Sequence, residues 1–399
     1  MEDEFYRIKR LPPYVIAEVN AMRHAARRAG RDIIDLGMGN PDLPPPQHVI
    51  DKLCEVAQKP DAHGYSQSKG IPGLRKAQAN YYARRFGVEL DPEREVVVTM
   101  GSKEGLASMA TAMTAPGDVV MAPNPSYPIH TFGFIIAGAT IRAIPTTPDE
   151  HYWQSLERAM AFTVPRPSVL IVNFPSNPTA EVVDLAFYER LVDWAKENKV
   201  WVLSDLAYSE LYYDGNPTPS ILQAKGAKDV AVEFTSMSKT YSMAGWRMGF
   251  AVGNQKLITA LTRVKSYLDY GAFTPIQAAA CAALNGPQDI VEKNRQLYQK
   301  RRDVMVEAFG RAGWEIPPPK ASMFAWAPLP PALKEMGSLE FSKQLLTHAE
   351  VAVAPGVGYG EEGEGFVRLA MVENEQRLRQ AARNVKRYLN SMGINSSAA

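Results

Sequence analysis

Short runs of continuously apolar, β-branched residues alternate along this chain with longer segments that mix apolar and charged positions. The runs are EVVVTM (95–100), DVVMAP (118–123), SVLIVNFP (168–175), VWVLSD (200–205), VAVEFTS (230–236) and MGFAVG (248–253). A strand with one wet face alternates apolar and polar residues. These runs do not, which predicts strands covered on both faces. Between them, KEGLASMATAM and AFYERLVDWAKENK carry apolar residues at helical spacing. The alternation predicts an α/β architecture with a mostly parallel sheet sandwiched by helices.

The texture changes near Pro287. DIVEKNRQLYQKRRDVMVEAFGRAG reads as a long charged amphipathic helix ending at glycine, followed by the short strands MFAWAPL, VAVAPG and FVRLAMV. This divides the chain into a large α/β domain, residues 46–285, and a smaller α+β domain formed by residues 286–399 with the N-terminal segment 1–45. There are no repeats and no low-complexity tract beyond the tail NSSAA.

Bulk properties remove several function classes. A length of 399 residues with 46% hydrophobic positions is enough for a large core. The net charge of +1, without charge blocks, argues against a nucleic-acid partner and against a membrane-surface helix. Cys54 and Cys281 form no CxxC pair and no disulfide framework, and two buried free thiols fit a reducing cytoplasm. The start, MEDEFYRIKRLPPYV, lacks the apolar core of a signal peptide, and FGFIIAGATI is far short of the ~20 residues of a membrane span. The six histidines show no HExxH or other metal-ligand spacing, so no metal is expected.

In open α/β sheets ligands bind beyond the carboxyl ends of the strands, so the residues following each run carry the chemistry. After EVVVTM, Gly101-Ser102-Lys103 opens a helix whose first N–H groups suit a phosphate; an ordinary N-cap at Ser102 explains the same residues. After DVVMAP, Tyr127 sits in a proline-flanked loop where its ring can stack on a planar ligand or simply pack. After SVLIVNF, Asn177 precedes Pro178 and is held extended, its amide able to donate to an oxygen or to shape a turn. Asp205 ends VWVLS, with Tyr208 three residues on. A carboxylate there needs a cation or a protonated ring nitrogen as partner, unless it N-caps a helix. After VAVEFTS come Ser236, Ser238 and Lys239, with Arg247 eight positions further.

Each ordinary reading is adequate alone, and a lone lysine is normally solvated. Together they fall at one predicted sheet edge and supply a lysine, a carboxylate, oxygen-directed donors, a stacking ring and phosphate donors. Pyridoxal phosphate needs that inventory.

SNPTA, DLAYSELYYDG and SMSKTYSMAGWRMGF resemble the signature blocks of class I/II pyridoxal-phosphate aminotransferases of fold type I, and the resemblance runs from LPPYV to VRLA. Within that family it is closest to bacterial glutamate–pyruvate (alanine) aminotransferases, then to LL-diaminopimelate aminotransferases. The resemblance implies that Lys239 is the Schiff-base lysine, that Asp205 pairs with the pyridine nitrogen, and that Asn177 and Tyr208 hold the ring's phenolic oxygen. Tyr127 would stack on the ring, and Ser102, Lys103, Ser236, Ser238 and Arg247 would surround the phosphate. Tyr65, in HGYSQSKGIPGLR, would reach the phosphate of the neighbouring subunit, which implies a homodimer with shared active sites. Arg368, in GFVRLA, would clamp the substrate α-carboxylate, with Gly39 and Tyr14 lining the substrate side. Ala180, where many relatives have glycine, is expected to matter little.

The physics agrees with these roles. Near Arg247 and away from water, the Lys239 amine should titrate well below a free lysine; released, it can serve as general base and acid at the substrate Cα. Asp205 would keep the pyridine ring protonated. Arg368 offers a planar fork matched to a carboxylate, although a strand arginine is ordinarily half of a surface ion pair. GYGEEG (358–363) matches GxGxxG but precedes a strand, and its glutamates would repel a pyrophosphate; its glycines are expected to let the loop move.

The expected activity is therefore transamination between an L-amino acid and a 2-oxo acid, with glutamate/2-oxoglutarate and alanine/pyruvate as couples. The alternatives are an LL-diaminopimelate, aspartate or methionine/aromatic aminotransferase, or a β-lyase or synthase on the same fold. A regulator built on this fold would carry an added DNA-binding domain, and none is expected ahead of LPPYV.

Overall fold

The computed structural model describes residue 5, residues 7–13 and residues 15–394. Twelve strands are present among them: β1 (Ile34–Asp35), β2 (Val96–Thr99), β3 (Val119–Asn124), β4 (Thr140–Pro145), β5 (Val169–Asn173), β6 (Trp201–Asp205), β7 (Ala231–Ser236), β8 (Gly249–Gly253), β9 (Phe324–Pro328), β10 (Val351–Ala352), β11 (Ala354–Pro355) and β12 (Phe366–Ala370). The helices in chain order are α1 (Val15–Arg28), α2 (Gln47–Ala57), α3 (Pro72–Phe86), α4 (Ser102–Met113), α5 (Pro128–Ala137), α6 (Glu150–Phe162), α7 (Leu185–Asn198), α8 (Met237–Thr240), α9 (Gln255–Leu268), α10 (Thr274–Asn285), α11 (Asp289–Gly310), α12 (Ser338–Gln344) and α13 (Glu375–Ser391).

A seven-stranded sheet in the order β2-β8-β7-β6-β5-β3-β4 forms the centre. All pairs from β4 to β7 are parallel, and β8 runs antiparallel to both of its neighbours. Each apolar run feeds two cores. Val96, Val98, Leu170, Val172, Val202, Ala231, Phe250 and Val252 pack on one side, with residues of α3, α6, α7 and α10. Val97, Val169, Ile171, Leu203, Val232, Phe234 and Ala251 pack on the other, with residues of α4, α5 and α9. Period-two geometry sends successive side chains to opposite faces, so a strand covered on both must be apolar throughout. Fully burying one such side chain contributes about 1.5–3 kcal/mol.

The edge strand β4 has no such run: of TIRAIP only Ile144 is buried, which is why the apolar pattern does not announce it. Helix boundaries have local causes. Asp184 caps α7 by accepting from Phe187 N at 2.9 Å, and Asn254 caps α9 from Lys256 N and Leu257 N.

Beyond α10, β9, β11 and β12 form a three-stranded antiparallel sheet, and β1 pairs with β10 in parallel. A third core joins these strands to α11 and α13 and takes in Tyr208, Leu211 and Tyr213, from the loop after β6. That loop therefore ties the large sheet to the C-terminal layer.

Two expectations change. Cys54 is exposed, not buried. It lies on a wet position of α2, while Cys281 is half-buried and its thiol is pushed up to about 11 by burial. The glycines of 356–363 are packing positions, not hinges. A Cβ on Gly356 would lie 2.0 Å from Gly363 O, one on Gly358 2.7 Å from Ile16 Cγ1, and one on Gly360 2.1 Å from Asn124 Oδ1. Tyr359 O accepts from Ser126 N at 2.8 Å, so the loop is laid flat on the end of β3.

Candidate active site

The strand order puts the carboxyl ends of β2, β3, β5, β6 and β7 along one edge. A cavity of about 730 Å³ opens there. Its walls include Gly39, Ser102, Lys103, Tyr127, Asn177, Asp205, Tyr208, Ser236, Ser238, Lys239, Arg247 and Arg368. Tyr65 stands outside it, 88% exposed, with its ring 4.6 Å from that of Tyr270. Tyr14 lies outside the described residues.

Lys239 sits on α8, directly after β7, and its Nζ donates to Gly39 O. Burial, then the positive charge of Arg368, then that of Arg247 bring the amine down to about 7. Arg368 thus outweighs the Arg247 effect that the spacing suggests. A desolvated amine between two guanidiniums loses free energy by taking a proton.

Asp205 is buried at the end of β6, with Oδ2 2.9 Å from His130 Nε2 and Oδ1 accepting from Ala207 N at 3.2 Å. His130, on α5, is itself fully buried, and its Nδ1 has no hydrogen-bond partner among the described residues. A proton on Nε2 with a bare Nδ1 satisfies that geometry. Histidine spacing alone gives no sign of this pairing, which spans 75 residues; the signal is the demand of a buried carboxylate for a partner.

Asn173, also missed, donates from Nδ2 to Asp205 O at 2.8 Å and accepts from Asn177 N at 2.8 Å. Asn177 Oδ1 accepts from Arg368 Nη1 at 2.8 Å, leaving its Nδ2 as the donating end. Tyr208 is buried, and burial raises its hydroxyl well above the ordinary tyrosine range. Burial raises Tyr127 as well, with the Asp205 charge adding to it.

Arg368 departs from the surface-pair reading. It is 6% exposed on β12, and its Nη2 donates to Gly37 O at 2.9 Å. Its guanidinium carbon lies 3.8 Å from the Phe324 ring centre and 4.9 Å from that of Tyr359. No carboxylate lies within ion-pair distance of it among the described residues. The buried Arg23 and the half-buried Asp35 add an ion pair to the same wall, and Asp35 Oδ1 accepts from Gly37 N and Met38 N.

At the other end, Gly101 has φ +84°, and a Cβ there would lie 2.2 Å from Arg247 Nη2. Only glycine lets the arginine reach across the turn to Met100 O, at 3.3 Å. Ser236 Oγ accepts from Ser238 N at 3.1 Å. Lys103 is exposed, its Nζ 5.6 Å from the Tyr127 ring centre.

The profile described as "Aminotransferase class I and II" matches residues 31–385. The chain belongs to the class I and II aminotransferases. Among its relatives, AatC of Rhizobium meliloti (strain 1021) is 64% identical over 98% of this chain and 96% of that protein. The glutamate-pyruvate aminotransferase AlaC of Escherichia coli (strain K12) is 52% identical over 98% and 95%. The LL-diaminopimelate aminotransferase of Moorella thermoacetica is 42% identical over 97% and 98%. Of solved structures, substrate-bound BacF from Bacillus subtilis superposes with a TM-score of 0.89 at 34% identity, over 97% of this chain and 98% of that one.

Class I and II aminotransferases depend on pyridoxal phosphate, and the donor set of this one fits it. An amine held at about 7 faces the same cavity as a buried carboxylate. Three serines, the first turn of α4 and Arg247 make a cradle of anion donors, and a Cβ at Gly101 would run into the Arg247 guanidinium.

Proposed function

We propose that this aminotransferase is a homodimer that exchanges amino groups between alanine/pyruvate and glutamate/2-oxoglutarate with ping-pong kinetics. The observation that carries the site assignment is Arg368, a buried guanidinium with no carboxylate beside it among the described residues, facing the same cavity as the depressed Lys239 amine. The couple rests on the resemblance to AlaC.

Pyridoxal phosphate supplies an aldehyde and an electron-accepting pyridine ring. Ser102, Ser236, Ser238, Lys103 and Arg247 would hold its phosphate, and Lys239 Nζ would be the amine for its aldehyde carbon. Tyr127 would cover the ring, while Asn177 Nδ2 and the Tyr208 hydroxyl would hold its phenolic oxygen. Asp205, itself oriented by His130, would hold a proton on the ring nitrogen. Arg368 orients the substrate by its α-carboxylate, with Gly39 setting the near wall. Displaced from the aldehyde carbon by the substrate amine, Lys239 Nζ, half of it uncharged at pH 7, would be free to take the proton from the substrate Cα and to return it.

Tyr65 belongs to the partner's phosphate site. An exposed group of Tyr65, Tyr267, Leu268, Tyr270 and Phe273 supports a covered face there. Two free cysteines support a reducing, cytoplasmic location.

The test is turnover of purified enzyme with a panel of amino donors against pyruvate and 2-oxoglutarate. L-Alanine with 2-oxoglutarate should give the highest kcat/KM. A preference for LL-diaminopimelate, aspartate, methionine or an aromatic donor, or pyruvate and ammonia released from one substrate alone, would overturn the couple. Near-wild-type turnover by Lys239→Ala would overturn the site.

A further inference from the structure

Lys265, on α9, is fully buried and lies outside the cavity walls. Its ammonium spends its donors on two carboxylates, at 3.2 Å from each oxygen of Glu104 and 2.8 Å from Asp269 Oδ2. Each carboxylate holds a different piece of backbone.

Glu104 Oε2 accepts from Met100 N at 2.8 Å, and its Oε1 from the Ser108 hydroxyl at 2.7 Å. Met100 O in turn accepts from Arg247 Nη2 at 3.3 Å. Met100, on whose carbonyl the phosphate-end arginine rests, is therefore tied through its N–H and one carboxylate to Lys265. On the other side, Asp269 Oδ1 accepts from Gly271 N at 2.7 Å, and Asp269 O accepts from Ser68 Oγ. Gly271, at φ +81°, brings its Cα so near Gln67 that a Cβ would lie 2.2 Å from Gln67 O. These two segments carry Tyr270 and Tyr65, whose exposed rings lie 4.6 Å apart.

We propose that Lys265 is a positioning residue that couples the cofactor-phosphate end of its own subunit to the tyrosine pair offered to the partner's site. The proposal rests on the dimer and on the reading of Tyr65 given above. The chemistry calls for a cation at this point. Without one, two half-buried carboxylates converging on the same point repel each other, and each relaxes by moving the backbone it holds. A methionine fills similar volume but restrains neither.

The experiment uses full-length hybrid dimers stripped of cofactor, in which one chain carries Lys239→Ala, so that one site alone forms the lysine–cofactor bond and its visible band. Lys265→Met is placed either on the chain with Lys239 or on its partner, and pyridoxal phosphate is titrated into each hybrid. Both placements should weaken cofactor binding, by roughly 2- to 30-fold. The first acts through Met100 and Arg247, the second through Tyr65. The KM for the amino acid should stay within about twofold, because Arg368 is not in the network, and Lys265→Arg should restore part of the loss.

Unchanged cofactor affinity in both placements, with only a lowered melting temperature, reduces Lys265 to core structure and sinks the proposal. An effect in one placement alone removes the coupling. If Lys265→Met does not fold, Asp269→Asn replaces it and should weaken the site only when carried by the partner chain; no effect there overturns the proposal. Sedimentation of the wild-type enzyme as a monomer overturns the dimer reading separately.

Discussion

Replacing Arg368 with glutamine tests the electrostatics of Lys239 without touching the lysine. With the amine at about 7, half of the molecules present an uncharged nucleophile at pH 7. A solvated lysine near 10.4 presents about one in several thousand. Burial is the first cause, and the Arg368 charge is the second. Arg368→Gln removes the charge and leaves an amide able to donate to Asn177 Oδ1 or Gly37 O. Removing a neighbouring cation favours the protonated amine, so the midpoint should rise by about one pH unit. The remaining burial keeps it far below a free lysine.

The assay is the pH dependence of the rate at which apoenzyme takes up pyridoxal phosphate, because only the uncharged amine attacks the aldehyde. A rise of that size predicts about one-fifth of the wild-type rate at pH 7, with recovery by pH 9. Stability gives a second reading with a defined sign. The folded amine titrates below the unfolded one, so between about pH 7 and 10.5 the unfolded chain binds more protons. Apoenzyme stability should therefore rise with pH across that window, and Lys239→Met should remove this contribution, making the apoenzyme a few kcal/mol more stable at pH 7. An unchanged or lowered midpoint in Arg368→Gln, or a wild-type midpoint near 10, refutes the reasoning.

Three further outcomes follow from single contacts. His130→Phe takes the 2.9 Å partner from the buried Asp205 carboxylate. It should lower kcat by about 10- to 100-fold, the equivalent of losing one charge-assisted hydrogen bond of about 1.5–3 kcal/mol, with a smaller change in amino-acid KM. Gly101→Ala sets a Cβ against the Arg247 guanidinium at a φ of +84°. Cofactor titration should show affinity down by about tenfold or more, in line with strain of about 1–3 kcal/mol. Ala180 occupies a left-handed conformation, φ +59°, with its N–H bonded to Ser176 O. Ala180→Gly should raise the denaturant midpoint, by up to about 1 kcal/mol of stability once the added freedom of the unfolded chain is subtracted; a fall would show that the turn stores no strain.

The amino-acid order alone determined the strands, their burial on both faces and the blocks around Asn177, Asp205 and Lys239. Those features are local. A strand covered on both faces must be apolar at every position, and a turn that offers a lysine after a buried strand needs its serines and glycines within a few residues. The edge strand β4 escaped because one wet face erases the apolar run. What the tertiary structure decided is where isolated charges find each other. His130 reaches Asp205 across 75 residues, and Lys265 reaches Glu104 across 161. Arg368 is pressed on Phe324 and Asn177 with no carboxylate among the described residues to neutralise it. A buried charge takes its energy from whatever the fold brings within a few ångströms, and no spacing along the chain records that. The glycines of 356–363 make the same point: they look like freedom in one dimension and prove to be contact in three.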